Sequence, residues 1–305
     1  MILVTGSSGF VGNALIKEAR QRNIQTRCAF RQKDSTMAQL FEKDQAFYVG
    51  EINRLTDWKA ALNNIKVVIH CAARTSTGAE ADTQNTKAIY TDVNVHGTLN
   101  LARQASFAGV KRFIFLSSVK VCGDTSPKGE PFKESCRFNT HEAYASSKIE
   151  AEIGLQDIAL KTGMEVVCIR PPLVYGPYVK GNFYRMLGWI QKGIPLPLGA
   201  IHNKRSLIGI DNLVDFIITC IAHPAAANHT FMASDGEDLS TTELLQRLGI
   251  ALRKPARLIP LPVQFLAVGS HILGKKNIAD RLVGNLQVDI SKAKKLLDWT
   301  ERSVR

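Results

Sequence analysis

The stretch MILVTGSSGFVG, residues 1–12, has the pattern that indicates the fold. It reads as a short apolar strand, a glycine turn and the start of a helix. Gly6 lets the chain leave the strand sharply, Gly9 lets a diphosphate approach backbone N–H groups, and Gly12 lets the helix pack closely on the strand. The N-terminus of such a helix attracts phosphate. The stretch therefore predicts a dinucleotide-binding turn, and the alternative is a glycine-rich turn without a ligand.

Composition limits the classes of protein and partner. The chain has 305 residues, of which 45% are hydrophobic and 22% charged, as expected of a globular protein. Its net charge of +12 favours anionic partners. The basic residues are scattered and no nucleic-acid motif is present, so we expect no nucleic-acid partner. Six cysteines without a CxxC pair indicate a reducing, cytoplasmic compartment and no metal site. The first strand begins at residue 2, so we expect no signal peptide.

Beyond the turn, apolar strand-like runs alternate with amphipathic stretches. The runs cover 26–30, 46–49, 66–71, 112–116 and 165–169, and the amphipathic stretches cover 56–62, 94–108 and 143–160. This alternation predicts an α/β protein with a doubly wound parallel Rossmann sheet. A further run at 229–233 is a candidate for one more strand of that sheet.

Prolines and glycines become frequent after residue 172, which marks a change of organisation. We expect an NAD(P)-binding domain at 1–174, with 209–235 returning to it. A smaller, mixed C-terminal substrate domain would comprise 175–208 and 236–305. The apolar segment 258–274 contains two prolines, a glutamine and a histidine, which favours a core or interfacial segment over a membrane span.

The residue after the second predicted strand, Arg31, bears on the choice of cofactor. An acidic side chain there would accept hydrogen bonds from the ribose 2′-OH of NAD, whereas an arginine pairs with the 2′-phosphate of NADP. The sequence thus favours NADP(H) over NAD(H). The alternative is that Arg31 is a solvated loop residue and that Asp34 takes the acidic role.

A second chemical motif is YASSK, in which Tyr144 and Lys148 lie four residues apart on one helix face. An ammonium near the phenol, together with a positive nicotinamide ring, stabilises the phenolate and lowers the pKa of the tyrosine. The tyrosine can then move a proton while a hydride moves at the adjacent carbon. Ser117 and Ser118 end a buried strand, where a hydroxyl can hold the reacting oxygen. The alternative is a pair of surface side chains on a helix.

Six segments together resemble the extended short-chain dehydrogenase/reductase family, in particular its nucleotide-sugar epimerase/dehydratase/reductase branch, typified by UDP-glucose 4-epimerase. They are TGSSGFVG (5–12), HCAA (70–73), VNVHGTLN (93–100), FLSSVKVCG (115–123), YASSK (144–148) and RPPLVYGP (170–177). The resemblance implies that Ser118, Tyr144 and Lys148 are the catalytic residues. It implies cofactor contacts at Gly6, Ser8, Gly9, Phe10, Val11, Arg31, Glu51, Ile52, Ala72, Ala73, Asn94, Ser117, Tyr144, Lys148, Pro171 and Val174, and substrate contacts at Ser118, Lys120, Asn182, Arg205 and Arg281.

Two positions depart from the family pattern. Cys122 replaces a tyrosine, and Arg31 replaces the acidic residue after the second strand. The second departure favours a reductase, because a cofactor that arrives reduced and leaves oxidised is supplied in cells mainly as NADPH. We therefore expect an NAD(P)-dependent oxidoreductase acting at C4 of a UDP-sugar. Residues 208–249, IGIDNLVDF to QRLG, resemble most closely enzymes that reduce a UDP-4-keto-6-deoxy-N-acetylhexosamine for surface polysaccharide (O-antigen) synthesis.

Two alternatives stay open. The first is a UDP-hexose (glucose or N-acetylglucosamine) 4-epimerase. A dehydratase is disfavoured, because Val119 and Lys120 stand where Asp and Glu are expected. The second is a non-catalytic dinucleotide-binding scaffold on the same fold, against which the intact Ser118, Tyr144 and Lys148 argue. We also expect a homodimer that is located in the cytoplasm. The alternative to a purely cytosolic protein is one that associates weakly with a membrane.

Overall fold

A parallel β-sheet forms the centre of the fold. The computed structural model describes residues 1–32, 45–75, 84–140, 142–179, 181–266 and 276–302. Within these residues a seven-stranded sheet comprises β1 (Ile2–Thr5), β2 (Thr26–Phe30), β3 (Ala46–Tyr48), β4 (Val67–His70), β5 (Arg112–Leu116), β6 (Glu165–Arg170) and β9 (Thr230–Met232). Their order is β3-β2-β1-β4-β5-β6-β9, and all neighbouring strands are parallel.

The order of the strands places a switch point between β1 and β4. The chain runs outward from β1 through β2 to β3, and then returns to the other side of β1 to form β4, β5 and β6. In doubly wound sheets, ligands bind at the carboxyl edge where the order reverses. The site is therefore to be sought at the ends of these strands.

Helices cover both faces of the sheet, because its strands are apolar on both sides. Ile2 and Val4 pack with α1 (Phe10–Gln21) and α7 (Ile210–Ala222), while Leu3 belongs to the core on the opposite face. That opposite core includes residues of α2 (Lys59–Leu62), α4 (Thr98–Phe107) and α5 (Ala143–Thr162). α3 (Gln84–Tyr90) leads into α4 through a π-helical turn, Thr91–Gly97.

A smaller mixed sheet accompanies the large one. It has three strands, β7 (Leu173–Tyr175), β8 (Arg205–Gly209) and β10 (Asp238–Leu239), with β8 parallel to β7 and antiparallel to β10. The associated helices are α6 (Asn182–Gln191), α8 (Thr241–Ala251), α9 (Lys276–Val283) and α10 (Ser291–Leu297). A separate core joins α6 and α8, and α8 begins with a capping box between Ser240 and Glu243. The predicted fold class, a Rossmann sheet with a smaller mixed part, is confirmed.

Several predicted elements are observed with altered ends. The run at 229–233 forms β9 and pairs with β6. The predicted helix at 56–62 was too long, because Thr56 and Asp57 accept backbone N–H bonds from Asn53 and Lys59 and so belong to turns. The predicted helix at 94–108 begins as the π-helical turn and becomes α-helical only at Thr98.

The cysteines include one feature that composition did not predict. Cys122 and Cys136 form a disulfide with their Cα atoms 5.7 Å apart. Cys28, Cys168 and Cys220 are buried free thiols. The expectation of a reducing compartment, drawn from the absence of a CxxC pair, thus missed this bond. It connects the turn after β5 to the segment that precedes α5.

The predicted core or interfacial segment 258–274 is described up to residue 266. It exposes Ile259, Val263 and Phe265. Among the helices that the structure describes, none has both the length and the apolar character needed to cross a membrane.

The glycine turn is too tightly packed to accept a side chain at Gly12. A Cβ on Gly12 would lie 2.2 Å from the carbonyl oxygen of Gly6, which is backbone and cannot step aside. Gly12→Ala should therefore lower the free energy of unfolding by about 1–3 kcal/mol, measured by urea denaturation. The matched control is Gly188→Ala in α6, where a Cβ meets nothing within 4 Å. This control should gain up to about 1 kcal/mol from helix propensity, and equal losses in both variants would contradict the packing argument.

Candidate active site

Apart from Val174, which belongs to the smaller sheet, the predicted cofactor residues that follow strands lie along the carboxyl edge of the large sheet. Gly6 follows β1, Arg31 follows β2, Glu51 and Ile52 come after β3, Ala72 and Ala73 come after β4, Ser117 follows β5, Pro171 follows β6, and Val174 lies in β7. Ser8, Gly9, Phe10 and Val11 form the turn into α1 and its first residues. A Cβ on Gly6 would lie 2.8 Å from the amide nitrogen of Ala72, so the turn after β1 touches the loop after β4.

The glycine turn fits a diphosphate. Gly9 donates a backbone hydrogen bond of 2.8 Å to Gly6 O and then caps α1, where it offers no side chain to the N–H groups of the first helical turn. Such N–H groups, at the positive end of the helix dipole, bind anions. Elsewhere on the same edge, the buried Ser117 Oγ has no hydrogen-bond partner among the described residues. Both observations suit a polar ligand along this edge.

A cavity of about 770 Å³ lies beside this turn. It is bordered by α1, by the start of α7 and by residues of the turn, including Ser8 and Gly9. Ser118, Tyr144 and Lys148 do not line it. The cavity therefore adjoins the glycine turn without containing the predicted catalytic residues.

Arg31 is paired with a second residue of the predicted set. Its Nη1 lies 3.6 Å from Glu51 Oε1, and the two side chains are 64% and 68% exposed. The carboxylate offsets the positive charge that a 2′-phosphate would meet. The alternative acidic residue, Asp34, lies outside the described residues.

The three predicted catalytic residues meet at the end of β5. Tyr144 and Lys148 lie on α5, and the Ser118 hydroxyl lies near enough to the phenol of Tyr144 to affect its pKa. Lys148 Nζ donates a 2.8 Å hydrogen bond to Leu116 O and lies 4.4 Å from the centre of the Phe115 ring. The backbone of β5 and the ring of Phe115 thus fix the lysine next to the serine and the tyrosine.

Burial affects the charge of Lys148. The residue is only 2% exposed, and burial lowers its pKa from 10.5 to about 8. The carbonyl of Leu116 and the aromatic ring offset part of the cost of burying an ammonium. Lys148 therefore loses its charge slightly above neutral pH.

Tyr144 has the opposite shift from the one expected from sequence. Burial raises the pKa of its phenol, Glu142 and Tyr90 raise it further, and the Ser118 hydroxyl opposes them. The expectation that Lys148 lowers this pKa is not met by the groups of the chain itself. The ammonium is directed at Leu116 O instead, and desolvation of the phenolate outweighs it. Tyr144 is thus a protonated phenol at neutral pH.

Asn94 connects the loop after β4 to the helix of Tyr144. It is buried in the π-helical turn, donates to Arg74 O at 3.0 Å and to Ser147 Oγ at 2.9 Å, and accepts from Arg74 N at 2.8 Å. Ser147 Oγ in turn donates to Tyr144 O at 2.6 Å. Because these contacts occupy its side-chain amide, Asn94 positions Tyr144 through hydrogen bonds to the neighbouring residues. π-Helical turns are frequent at functional sites, and the helical periodicity at 94–108 gave no sign of this one.

A buried ion pair that sequence reasoning missed holds α5 to β6. Arg170 makes two hydrogen bonds, of 3.0 and 2.6 Å, to the carboxylate of Glu152. The side chains are 3% and 0% exposed. Glu152 lies one helical turn after Lys148, so the pair fixes the position of the helix that carries Tyr144 and Lys148. The sequence feature that could have indicated this ion pair is Glu152, an acidic residue on the buried face of α5.

Among the predicted substrate residues, Lys120, Arg205 and Arg281 are brought together, with partners that the sequence did not predict. Lys120 Nζ is 2.9 and 2.7 Å from the carboxylate oxygens of Glu142, and Arg281 Nη2 is 3.2 Å from one of them. Arg205 Nη1 donates to Arg281 O at 2.7 Å and to Gly284 O, and burial lowers its pKa to about 10. Asn182 begins α6, and its side chain lies outside the described part of the chain.

The comparison with protein families agrees with this arrangement. The model of the NAD dependent epimerase/dehydratase family matches residues 2–233, from β1 to just after β9. The chain belongs to this family. It is therefore an enzyme-family member that uses an NAD-type dinucleotide, as the glycine turn predicted.

Relatives in the family cover nearly the whole chain. A UDP-glucose 4-epimerase of Vibrio cholerae is 46% identical over 301 residues, which are 98% of this chain and 90% of the relative. The N-acetyl-alpha-D-glucosaminyl-diphospho-ditrans,octacis-undecaprenol 4-epimerase of Escherichia coli O157:H7 is 29% identical over 90% of this chain and 81% of the relative. The solved UDP-glucose 4-epimerase of Thermotoga maritima has a TM-score of 0.76 at 21% identity and covers 100% of this chain and 94% of its own.

The burial of Lys148 makes the stability of the fold depend on pH. The unfolded chain keeps the proton of Lys148 up to about pH 10.5, and the folded chain loses it near pH 8. Between these values the unfolded state binds more protons, so this residue makes stability rise with pH. The free energy of unfolding of the wild type should therefore rise relative to Lys148→Met, by about 1–3 kcal/mol from pH 7 to pH 10.

The control is Lys161→Met on the same helix, where the lysine is exposed and paired with Asp157. This variant should follow the wild type at every pH. Parallel pH profiles for the wild type and Lys148→Met would contradict the assignment of a depressed lysine pKa.

Proposed function

We propose that this protein is a nucleotide-sugar 4-epimerase whose substrate is a UDP-hexose. The observation that carries the proposal is the 46% identity, over 98% of the chain, to the Vibrio cholerae UDP-glucose 4-epimerase. The meeting of Ser118, Tyr144 and Lys148 at the end of β5 supports it. The reductase favoured by sequence has weaker support, because it relied on Arg31 as a phosphate partner and Glu51 offsets that charge.

In this proposal the residues of the chain move one proton in each direction. A bound dinucleotide would supply the acceptor and later the donor of a hydride at C4, and positive charge near the phenol. With that positive charge bound beside it, the phenol of Tyr144 would ionise, take the proton of the C4 hydroxyl as that carbon is oxidised, and return it when the carbonyl is reduced on its other face. Ser118 holds the C4 oxygen through its hydroxyl. Oxidation and reduction cancel, so no external reductant is consumed.

We further propose a division of labour along the chain. Residues 1–174, with 209–235, would hold the dinucleotide, and 175–208 with 236–305 would hold the nucleotide sugar. The placement of most predicted cofactor residues on the large sheet, with only Val174 in the smaller one, and of Arg205 and Arg281 outside the large sheet supports this division. A homodimer and a cytoplasmic location remain predictions.

The cofactor proposal is NAD(H) rather than the NADP(H) favoured by sequence. Its support is the pairing of Arg31 with Glu51, whose carboxylate would repel a 2′-phosphate and can accept hydrogen bonds from a ribose hydroxyl. The family description, NAD dependent, agrees with it.

Tyr144→Phe tests the mechanism. The change removes the phenol oxygen and keeps the ring, so binding of UDP-glucose should survive while epimerisation to UDP-galactose falls about 10²- to 10⁴-fold. Turnover is followed by NMR of the sugar anomeric protons. Tyr178→Phe, at an exposed tyrosine, is the control and should keep full activity. Normal turnover in Tyr144→Phe would return the non-catalytic scaffold to consideration, and NADPH-dependent reduction of a UDP-4-keto-sugar without epimerisation would establish the reductase.

Glu51→Gln tests the cofactor proposal. The wild type should bind NAD(H) at least as tightly as NADP(H), measured by fluorescence titration of the reduced forms. The amide removes the charge that offsets Arg31, so the ratio of NADPH to NADH affinity should rise several-fold, a modest change because the pair is exposed. Adding Arg31→Ala should abolish the rise. A wild type that prefers NADPH, with no response to Glu51→Gln, would contradict the proposal.

A further inference from the structure

Four charged side chains form a cluster at the border of the candidate active site. Lys120 and Arg281 both bind Glu142, and Asp124 lies 4.0 Å from Lys120 Nζ and 3.5 Å from Arg281 Nη2. The members come from three places in the chain: the segment after β5, the N-cap of α5, and α9. We call these four residues the charge cluster.

The charge cluster adjoins the groups that move the proton. The backbone N–H of Lys120 donates to Ser118 Oγ at 3.3 Å, and Glu142 stands two residues before Tyr144. Glu142 also acts electrostatically on the phenol of Tyr144. The side chains of Lys120 and Glu142 are 29% and 22% exposed, so a ligand at Ser118 and Tyr144 can reach them.

The charges of the cluster cancel. Lys120 uses its ammonium on both oxygens of Glu142, which leaves it little capacity for another carboxylate. A lysine alone at this position would attract an acidic sugar. A lysine that is already neutralised by Glu142 disfavours an acidic sugar. The carboxylate of that sugar would approach the carboxylate of Glu142 in a partly desolvated environment, where like charges repel.

We propose that Glu142 is a specificity-determining residue that favours neutral nucleotide sugars over those carrying a carboxylate at C6. This inference rests on the proposed 4-epimerase function and adds the class of sugar to it. Glu142 acts by occupying Lys120 and by repelling a second carboxylate near the reacting end of the sugar.

The test compares kcat/KM for UDP-glucose and UDP-glucuronate in matched variants. Glu142→Gln keeps the shape and an oxygen acceptor for Lys120 while it removes the charge. The ratio of UDP-glucuronate to UDP-glucose kcat/KM should rise by on the order of tenfold, the scale of a partly exposed charge contact. Adding Lys120→Met to Glu142→Gln should abolish the rise, because the freed ammonium is then absent.

Two further variants complete the design. Glu150→Gln, at an exposed glutamate on the same helix, should leave the ratio unchanged. Lys120→Met alone should lower the ratio of UDP-glucuronate to UDP-glucose kcat/KM, because the charge of Glu142 is then less neutralised. This variant tests the role of Glu142 even where Glu142→Gln does not fold. Dissociation constants of both UDP-sugars, from titration calorimetry on the same variants, give the comparison without turnover.

The outcomes separate the two proposals. Unchanged ratios in both kcat/KM and dissociation constants would overturn the role of Glu142. A wild type that does not epimerise UDP-glucose would overturn the proposed function alone, and the ratios of dissociation constants would then decide the role of Glu142.

Discussion

The position of Lys148 depends on one costly interaction, a buried ammonium held by the carbonyl of Leu116 and the ring of Phe115. Such a group stays in place only where its surroundings are rigid. The rigidity comes from two contacts of α5. The Arg170–Glu152 ion pair ties the helix to β6, and the hydrogen bonds of Asn94 tie it to the loop after β4. Tyr144 and Ser118 are placed by the same framework.

The electrostatics of the site come from pairs rather than from net charge. The chain carries +12, yet Arg31, Lys120 and Arg281 each face a carboxylate. Arg205 faces backbone carbonyls. A ligand therefore meets compensated cations, and recognition depends on which partner it replaces or repels. Composition alone cannot show this, because it counts charges without their neighbours.

Local patterns made the fold predictable. The glycine turn, the strand that precedes Ser117 and the YASSK helix each lie within a short stretch of sequence, and so does the run that forms β9. The features that were missed join distant residues: Lys120 with Glu142, Glu152 with Arg170, and Cys122 with Cys136. Such pairs depend on how elements pack, and a single sequence has no spacing rule for them. The π-helical turn was missed because its periodicity is too close to that of an α-helix.

The return of the chain to form β9 has a consequence for biosynthesis. β9 pairs with the outer edge of β6, although β7 and β8 come between the two strands in the sequence and are synthesised before β9. While the ribosome has not yet released residues 230–232, that edge of β6 has no strand beside it. An open strand edge can pair with another nascent chain, and contacts between distant residues form slowly. The sheet is thus completed only once residues 230–232 have been synthesised, and its last edge stays open to pairing until then.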